Sequence, residues 1–140
     1  MIHWCKNFNE IQINEVMNQN TLMQALGIEI TSITETSLIG TMPVDHRTHQ
    51  PMGFLHGGAS VALAETLGSM ASWMTIDDSK TTFGMDIQAN HIRPVQSGIV
   101  TGEAVLVHAG KTTQIWDINI TNDDKKLVCV SRITMAIKDL

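Results

Sequence analysis

Between His56 and Asp77 the chain carries a helical spacing of apolar residues and only one ionisable side chain, Glu65. A helix on the surface of a globular protein shows a charged face; this one has none. Ala59, Leu63, Leu67, Met70 and Met74 make an apolar stripe, and Ser60, Ala64, Gly68 and Ala71 a stripe of small residues beside it. Gly58, Ala62, Glu65, Ser69 and Ser72 make a third stripe. The pattern predicts a helix from Gly57 to about Ile76, buried nearly all round, with small residues that let other backbone approach closely. The remainder of the chain has to wrap around it.

That remainder reads largely as strands. Asn9 to Gln19 fits a short helix with Ile11, Val16 and Met17 as its apolar points. Thr21 is placed to cap a further turn that Gly27 ends after Leu26. Ile28 and Ile30 alternate with polar neighbours, as do Leu38, Gly40, Met42 and Val44. Asp45 to Leu55 reads as a loop. After the helix, Phe83, Met85, Ile87 and Ala89 share one face of a strand, Ile99 to Val107 is β-rich, and Trp116, Ile118 and Ile120 alternate with Asp117 and Asn119. Leu127 to Ile137 follows a turn at Asn122-Asp123-Asp124. Strands that follow one another without intervening helices form a largely antiparallel sheet. The expectation is an α+β fold in which one helix covers one face of the sheet.

The chain has 140 residues, enough for one domain over 1–140 and too few for two ordinary ones. A net charge of −5 argues against a nucleic-acid or anionic-membrane partner, both of which favour basic patches. Charged residues make up only 16%, which hints that some surface is covered in an oligomer. Cys5 and Cys129 have no metal-ligand spacing and read as free thiols of a reducing, cytoplasmic setting. No signal peptide or membrane span is visible.

A lone carboxylate on a charge-poor helix is costly unless it is paired, solvated by a cleft or protonated. Burial favours its neutral form, which suits acid–base chemistry. Ser69, four residues on, shares its face. The alternative is that Glu65 hydrogen-bonds a loop and shapes the core. His56-Gly57-Gly58 stands at the predicted helix start, where free N–H groups and the positive end of the dipole suit a negative oxygen. Thioester hydrolysis needs such a place, because the carbonyl oxygen becomes negative in the transition state. The glycines could equally make only a tight entry turn. Other chemistries find less support. His46 and His49 beside Asp45 lack a second cluster for a metal site, no nucleophile elbow accompanies a Ser/His/Asp set, and no phosphate-binding Gly-rich loop is present. His91, Arg93, His108 and Lys111 form a modest basic set that could meet cofactor phosphates or simply solvate strand ends.

Thr48-His49-Gln50-Pro51, the run Leu55-His56-Gly57-Gly58-Ala59-Ser60, and Ala64-Glu65-Thr66-Leu67-Gly68-Ser69 carry a resemblance to the PaaI-type hotdog thioesterases. Met42-Pro43-Val44-Asp45 and His91-Ile92-Arg93-Pro94-Val95 extend it over nearly the whole chain. Within the family the likeness is to the branches acting on 1,4-dihydroxy-2-naphthoyl-CoA and on mis-acylated aryl carrier proteins. The resemblance implies a hotdog fold, an antiparallel sheet wrapped around one long central helix. It implies two subunits sharing one continuous sheet within a dimer of dimers, with active sites at the subunit interface. It implies Glu65 as base or nucleophile, Gln50 placing thioester or water, and the Gly57 N–H as oxyanion donor. His56 would polarise the carbonyl and Ser69 orient the water. Coenzyme A would be part of an acyl- or aroyl-CoA substrate rather than a bound cofactor. It would be met by Gly84, by His91, Ile92, Arg93 and Pro94, and by His108, Ala109, Gly110, Lys111, Thr112 and Thr113. Two positions depart from the pattern: relatives carry His where Ile92 stands and Arg where Lys111 stands, and Lys cannot reproduce a bidentate phosphate contact. A non-catalytic acyl-CoA-binding module is the alternative from another class; the joint presence of Glu65, Gln50 and His56 argues against it.

Overall fold

The helix forms where the spacing predicts it. In the computed structural model, which describes residues 1–140, α3 spans Gly57–Met74 and its first two stripes face a six-stranded antiparallel sheet. The strands are β1 (Glu29–Ile33), β2 (Ser37–Pro43), β3 (Lys80–His91), β4 (Ile99–Ala109), β5 (Thr113–Thr121) and β6 (Leu127–Asp139), in the order β1-β2-β4-β5-β6-β3. This is the expected α+β hotdog arrangement. Leu63, Ala64, Leu67 and Ala71 are fully buried against Trp116, Ile118, Ile120 and Ile133. Burying each large apolar side chain stabilises the fold by roughly 1.5–3 kcal/mol. No helix is long and apolar enough to cross a membrane.

Close approach of helix and sheet depends on missing Cβ atoms. Gly40 and Gly102 pair across β2 and β4. A Cβ on either would lie 2.7 or 2.6 Å from a methyl of Leu67, so the two glycines form the hole into which Leu67 fits. On the helix side, a Cβ on Gly68 would come within 2.5 Å of Ile133 Cγ2.

Three expectations are corrected. The helix is not buried all round: Gly58 and Glu65 are exposed and Ala62 and Ser69 only half-buried, because a single sheet covers a single face. Of the third stripe only Ser72 is buried, its hydroxyl 2.9 Å from that of Thr82. Second, Phe83, Met85, Ile87 and Ala89 do not share a face. The β3–β6 register shifts between Gly84 and Asp86, with Gly84 opposite Met135 and Ile87 opposite Ile133. This bulge leaves Met85 unpaired and resets the alternation. Thr82, Gly84, Ile87 and Ala89 therefore face inward, while Phe83 and Met85 stand exposed.

Third, the N-terminal helix is short and changes type. Asn9 and Gln12 make reciprocal capping bonds around α1 (Glu10–Gln12). The chain then widens into a π turn, Ile13–Met17, closed by Asn18 N–H donating to the Ile13 carbonyl at 3.1 Å. Ile13 carries the burial expected of Ile11 and Val16, which point outward. Asn14 bonds both the N–H and the carbonyl of Ile30, at 2.8 and 2.7 Å, and so pairs with the free edge of β1 like a short strand. α2 (Leu22–Leu26) ends at Gly27 in the left-handed region, φ 71°. Thr21 precedes it, but its hydroxyl donates to the Asn18 carbonyl instead of capping. One sheet edge is thereby covered, while the other, along β3, is open.

Candidate active site

Glu65 projects from the third turn of α3 past the β3 side of the sheet. Its Oε1 lies 3.1 Å from where a Cβ on Gly84 would stand, so the carboxylate rests on bare backbone. The bulge beside Gly84 bends the strand at this point. An open cleft of about 530 Å³ borders the carboxylate, with Ser69, Met70, Trp73, Phe83, Gly84 and Met135 in its wall. Ser69 Oγ sits 3.9 Å from Met135 Sδ, on the same side of the helix as Glu65. Within one chain Glu65 is exposed, so the expected burial is not met there.

The helix N-terminus is built differently. His56 has extended backbone and caps α3 by accepting the Gly58 N–H on Nδ1 at 2.8 Å. An acceptor Nδ1 means a neutral ring with its proton on Nε2. The Gly57 N–H, at the first helical position, has no acceptor in the chain. The His91 ring packs against the Cα of Gly57: a Cβ there would be 2.9 Å from His91 Nε2. Gln50 uses Oε1 to accept the Met52 N–H, which leaves its amide NH₂ free to donate. Gln50, Gly57, His91, Ile92, Arg93 and Pro94 share a second cavity, of about 600 Å³.

The loop that carries Gln50 is held at several points. Thr48 Oγ1 donates to the Pro43 carbonyl at 2.8 Å, and the His56 N–H donates to the Thr48 carbonyl at 2.8 Å. Arg47 bonds the Asp45 carboxylate through its guanidinium and its backbone N–H. The guanidinium bonds, then the backbone bond, pull the Asp45 pKa down to about 2. The pair thus stays charged through the neutral range and loosens only as pH falls through that value. No three His, Cys, Asp or Glu side chains converge as a metal site.

One chain does not bring all the expected residues together. Glu65, Ser69 and Gly84 belong to the first cleft and Gln50, Gly57 and His91–Pro94 to the second. His56 borders a third hollow with His49 and Ala59. His91 pairs with Cys129 at the start of β6, whereas the β4–β5 hairpin holding His108–Thr113 meets Ile137 near its end. At about 3.3 Å per residue, those two expected coenzyme A segments stand roughly 26 Å apart along the strand. Gly84, expected among the coenzyme A contacts, lies under the Glu65 carboxylate. Sequence reasoning passed over Met17, Met23 and Trp73 as site residues. They come from three separate segments, and only the fold gathers them at the Glu65 cleft.

Comparison with known proteins identifies the family and the fold. A crystal structure of a Haemophilus influenzae thioesterase superposes with a TM-score of 0.96 at 47% identity, covering 99% of this chain and 96% of that one. A 1,4-dihydroxy-2-naphthoyl-CoA hydrolase of Listeria monocytogenes is 43% identical, over 84% of this chain and 95% of its own. The proofreading thioesterase EntH of Cronobacter turicensis is 48% identical, over 84% and 85%. Two structures of a Staphylococcus aureus protein, one with a glutamate and one with a glutamine replaced by alanine, have TM-scores of 0.82 and 0.81. They are 41% and 40% identical, and cover 85% and 84% of this chain and 99% and 98% of theirs. Residues 52–129, from the Gln50 loop through α3 into β6, match the thioesterase superfamily; the chain belongs to that family and is a thioester hydrolase.

Proposed function

We propose that residues 1–140 act as one hotdog domain that hydrolyses acyl-CoA thioesters, aroyl-CoA such as 1,4-dihydroxy-2-naphthoyl-CoA foremost, to the free acid and coenzyme A. The carrying observation is Glu65, the one ionisable group in its cleft, set on the helix whose first N–H is unpaired. In the Staphylococcus aureus relative the replaced glutamate and glutamine stand fifteen positions apart, as Glu65 and Gln50 do here. Glu65 takes a proton from water as the oxygen attacks the thioester carbon, or attacks it directly to give a mixed anhydride that water then opens. The carbonyl oxygen gathers charge against the Gly57 N–H and the Nε2–H of His56. Gln50 places the thioester and Ser69 the water. The C–S bond breaks and the thiolate leaves, taking up a proton.

The open β3 edge supports a shared site. Twofold antiparallel pairing of β3 with its copy sets the His91 end of one strand against the Gly84 end of the other. Gln50 and Gly57 of one subunit then face Glu65 of the next, and the His108–Thr113 hairpin approaches the partner's His91–Pro94 segment. Paired dimers form the tetramer, and the free thiols fit a reducing, cytoplasmic setting.

Turnover across short, medium, long and aromatic acyl-CoAs tests the reading. Aromatic substrates are expected to exceed palmitoyl-CoA in kcat/KM. Comparable efficiency on palmitoyl-CoA would remove the aroyl preference, and no turnover of any would remove the reading. The likeness to EntH favours a second reading, hydrolysis of mis-acylated aryl carrier protein. Higher kcat/KM on the loaded carrier protein than on the matching CoA thioester would establish it.

Arg93 offers a separate check. Its Nη1 donates to the Leu127 carbonyl at 2.7 Å and its side chain is exposed beside His91. A contact to nucleotide phosphates acts alike in ground and transition states, so Arg93→Ala should raise KM for CoA thioesters several-fold with kcat nearly unchanged. N-acetylcysteamine thioesters, which lack the nucleotide, should be hydrolysed as before. An equal loss on both would place Arg93 in support of the fold.

A further inference from the structure

The Glu65 cleft extends away from the carboxylate toward the N-terminal segment. Met17, the last residue of the π turn, and Met23 of α2 line it together with Met70 and Trp73 of α3. We propose that the segment Ile13–Leu26 is the end wall of the acyl chamber, with Met17 and Met23 setting the size of the acyl group, an apolar group without charge. This rests on Glu65 being the carboxylate at the reacting carbon.

Three observations carry it. The polar side chains of the cleft are Glu65, Thr66, Ser69 and Thr82, and no lysine, arginine or histidine lines it. An acyl group ending in a carboxylate would be desolvated with no cation of the same subunit beside it and with Glu65 sharing the cleft. Apart from Gly84, the remainder of the wall is thioether and aromatic, and methionine adapts to apolar shapes better than branched residues do.

Local rules are broken in the segment that holds the two methionines. The π turn departs from helical geometry directly before Asn18, and such turns recur at functional sites. Asn18 is buried, and its Oδ1 has no hydrogen-bond partner. An unmet buried acceptor weakens a segment, and departures of this kind concentrate where function sets the structure.

The segment is nevertheless fixed in place. Asn14 is bonded twice to Ile30, and the Glu10 carboxylate accepts the Ile33 N–H at 3.2 Å. A wall tied to β1 can define a chamber length.

The test uses two thioethers that cannot be hydrolysed, S-ethyl-CoA and S-benzyl-CoA. In the wild-type protein, saturating S-benzyl-CoA should protect Met17 and Met23 from peroxide oxidation, read by peptide mass spectrometry. S-ethyl-CoA should not, and the exposed Met1 serves as an unprotected reference. By calorimetry, Met17→Trp and Met23→Trp should each lower the ratio of S-benzyl to S-ethyl affinity by roughly tenfold or more, the scale on which an apolar pocket separates groups by size. A purely structural role would weaken both ligands alike. Equal oxidation of Met17 and Met23 with either ligand, or an unchanged ratio in a folded variant, overturns the proposal; the oxidation result stands even if neither variant folds. Protection without turnover of any acyl-CoA would defeat the hydrolytic reading of Glu65 and leave the chamber intact. Turnover without protection would do the reverse.

Discussion

Glu65→Gln is expected to lower kcat/KM for acyl-CoA by a factor of about 10²–10⁴, the range that general base catalysis contributes, and by at least as much if Glu65 is the nucleophile. The amide keeps the shape of the side chain and removes the proton acceptor. Glu65 is exposed in the single chain and rests on Gly84, so the exchange leaves the packing of α3 untouched. The melting temperature should therefore stay near that of the wild type, which separates loss of chemistry from loss of fold. A variant retaining more than about a tenth of wild-type turnover would remove Glu65 from the role of base or nucleophile, since no such contribution is that small.

Gly68→Val tests the packing that holds this helix in position. The first added carbon would meet Ile133 Cγ2 at 2.5 Å and Ile118 Cδ1 at 3.3 Å. Both isoleucines are fully buried and have no room to retreat. Overpacking of this kind costs about 1–3 kcal/mol, and two further methyl groups place Val at the upper end. Replacing glycine in a helix recovers under about 1 kcal/mol. The net loss should lower the melting temperature by roughly 5–10 °C for a chain of this length. An unchanged melting temperature would mean that helix and sheet are less tightly apposed than the Gly68–Ile133 approach requires.

The sequence makes α3 legible because twenty residues with one charge admit few environments, and their spacing is helical throughout. β5 is legible for a similar reason: Trp116, Ile118 and Ile120 alternate without interruption and all three are buried. β3 is misread at Met85 because a period of two cannot reveal one unpaired residue; the bulge exists only relative to β6. The π turn at Ile13–Met17 is hidden for the same kind of reason, since Asn14 is engaged by Ile30 across the fold. In the site, Glu65, Gln50, His56 and Gly57 stand out as unusual residue types at a helix and its entry. The methionines of the cleft do not, because methionine at a helical position reads as core. Glu65 and Gly57 lie in different cavities because eight residues of one helix set them about 12 Å apart along its axis.

The central claim is that a complete site takes Glu65 from one subunit and Gln50 from the other, and complementation between two inactive variants tests it most directly. Glu65→Gln and Gln50→Ala, each nearly inactive alone, are denatured together in equal amounts, refolded and assayed. Random pairing makes half of the dimers mixed, and each mixed dimer contains one wild-type site and one doubly altered site. Activity should return to about a quarter of the wild-type value per subunit, since half of the sites in half of the dimers are restored. If each site were built within one chain, every site in the mixture would keep a lesion. Activity no higher than that of the separately refolded variants would contradict the shared site.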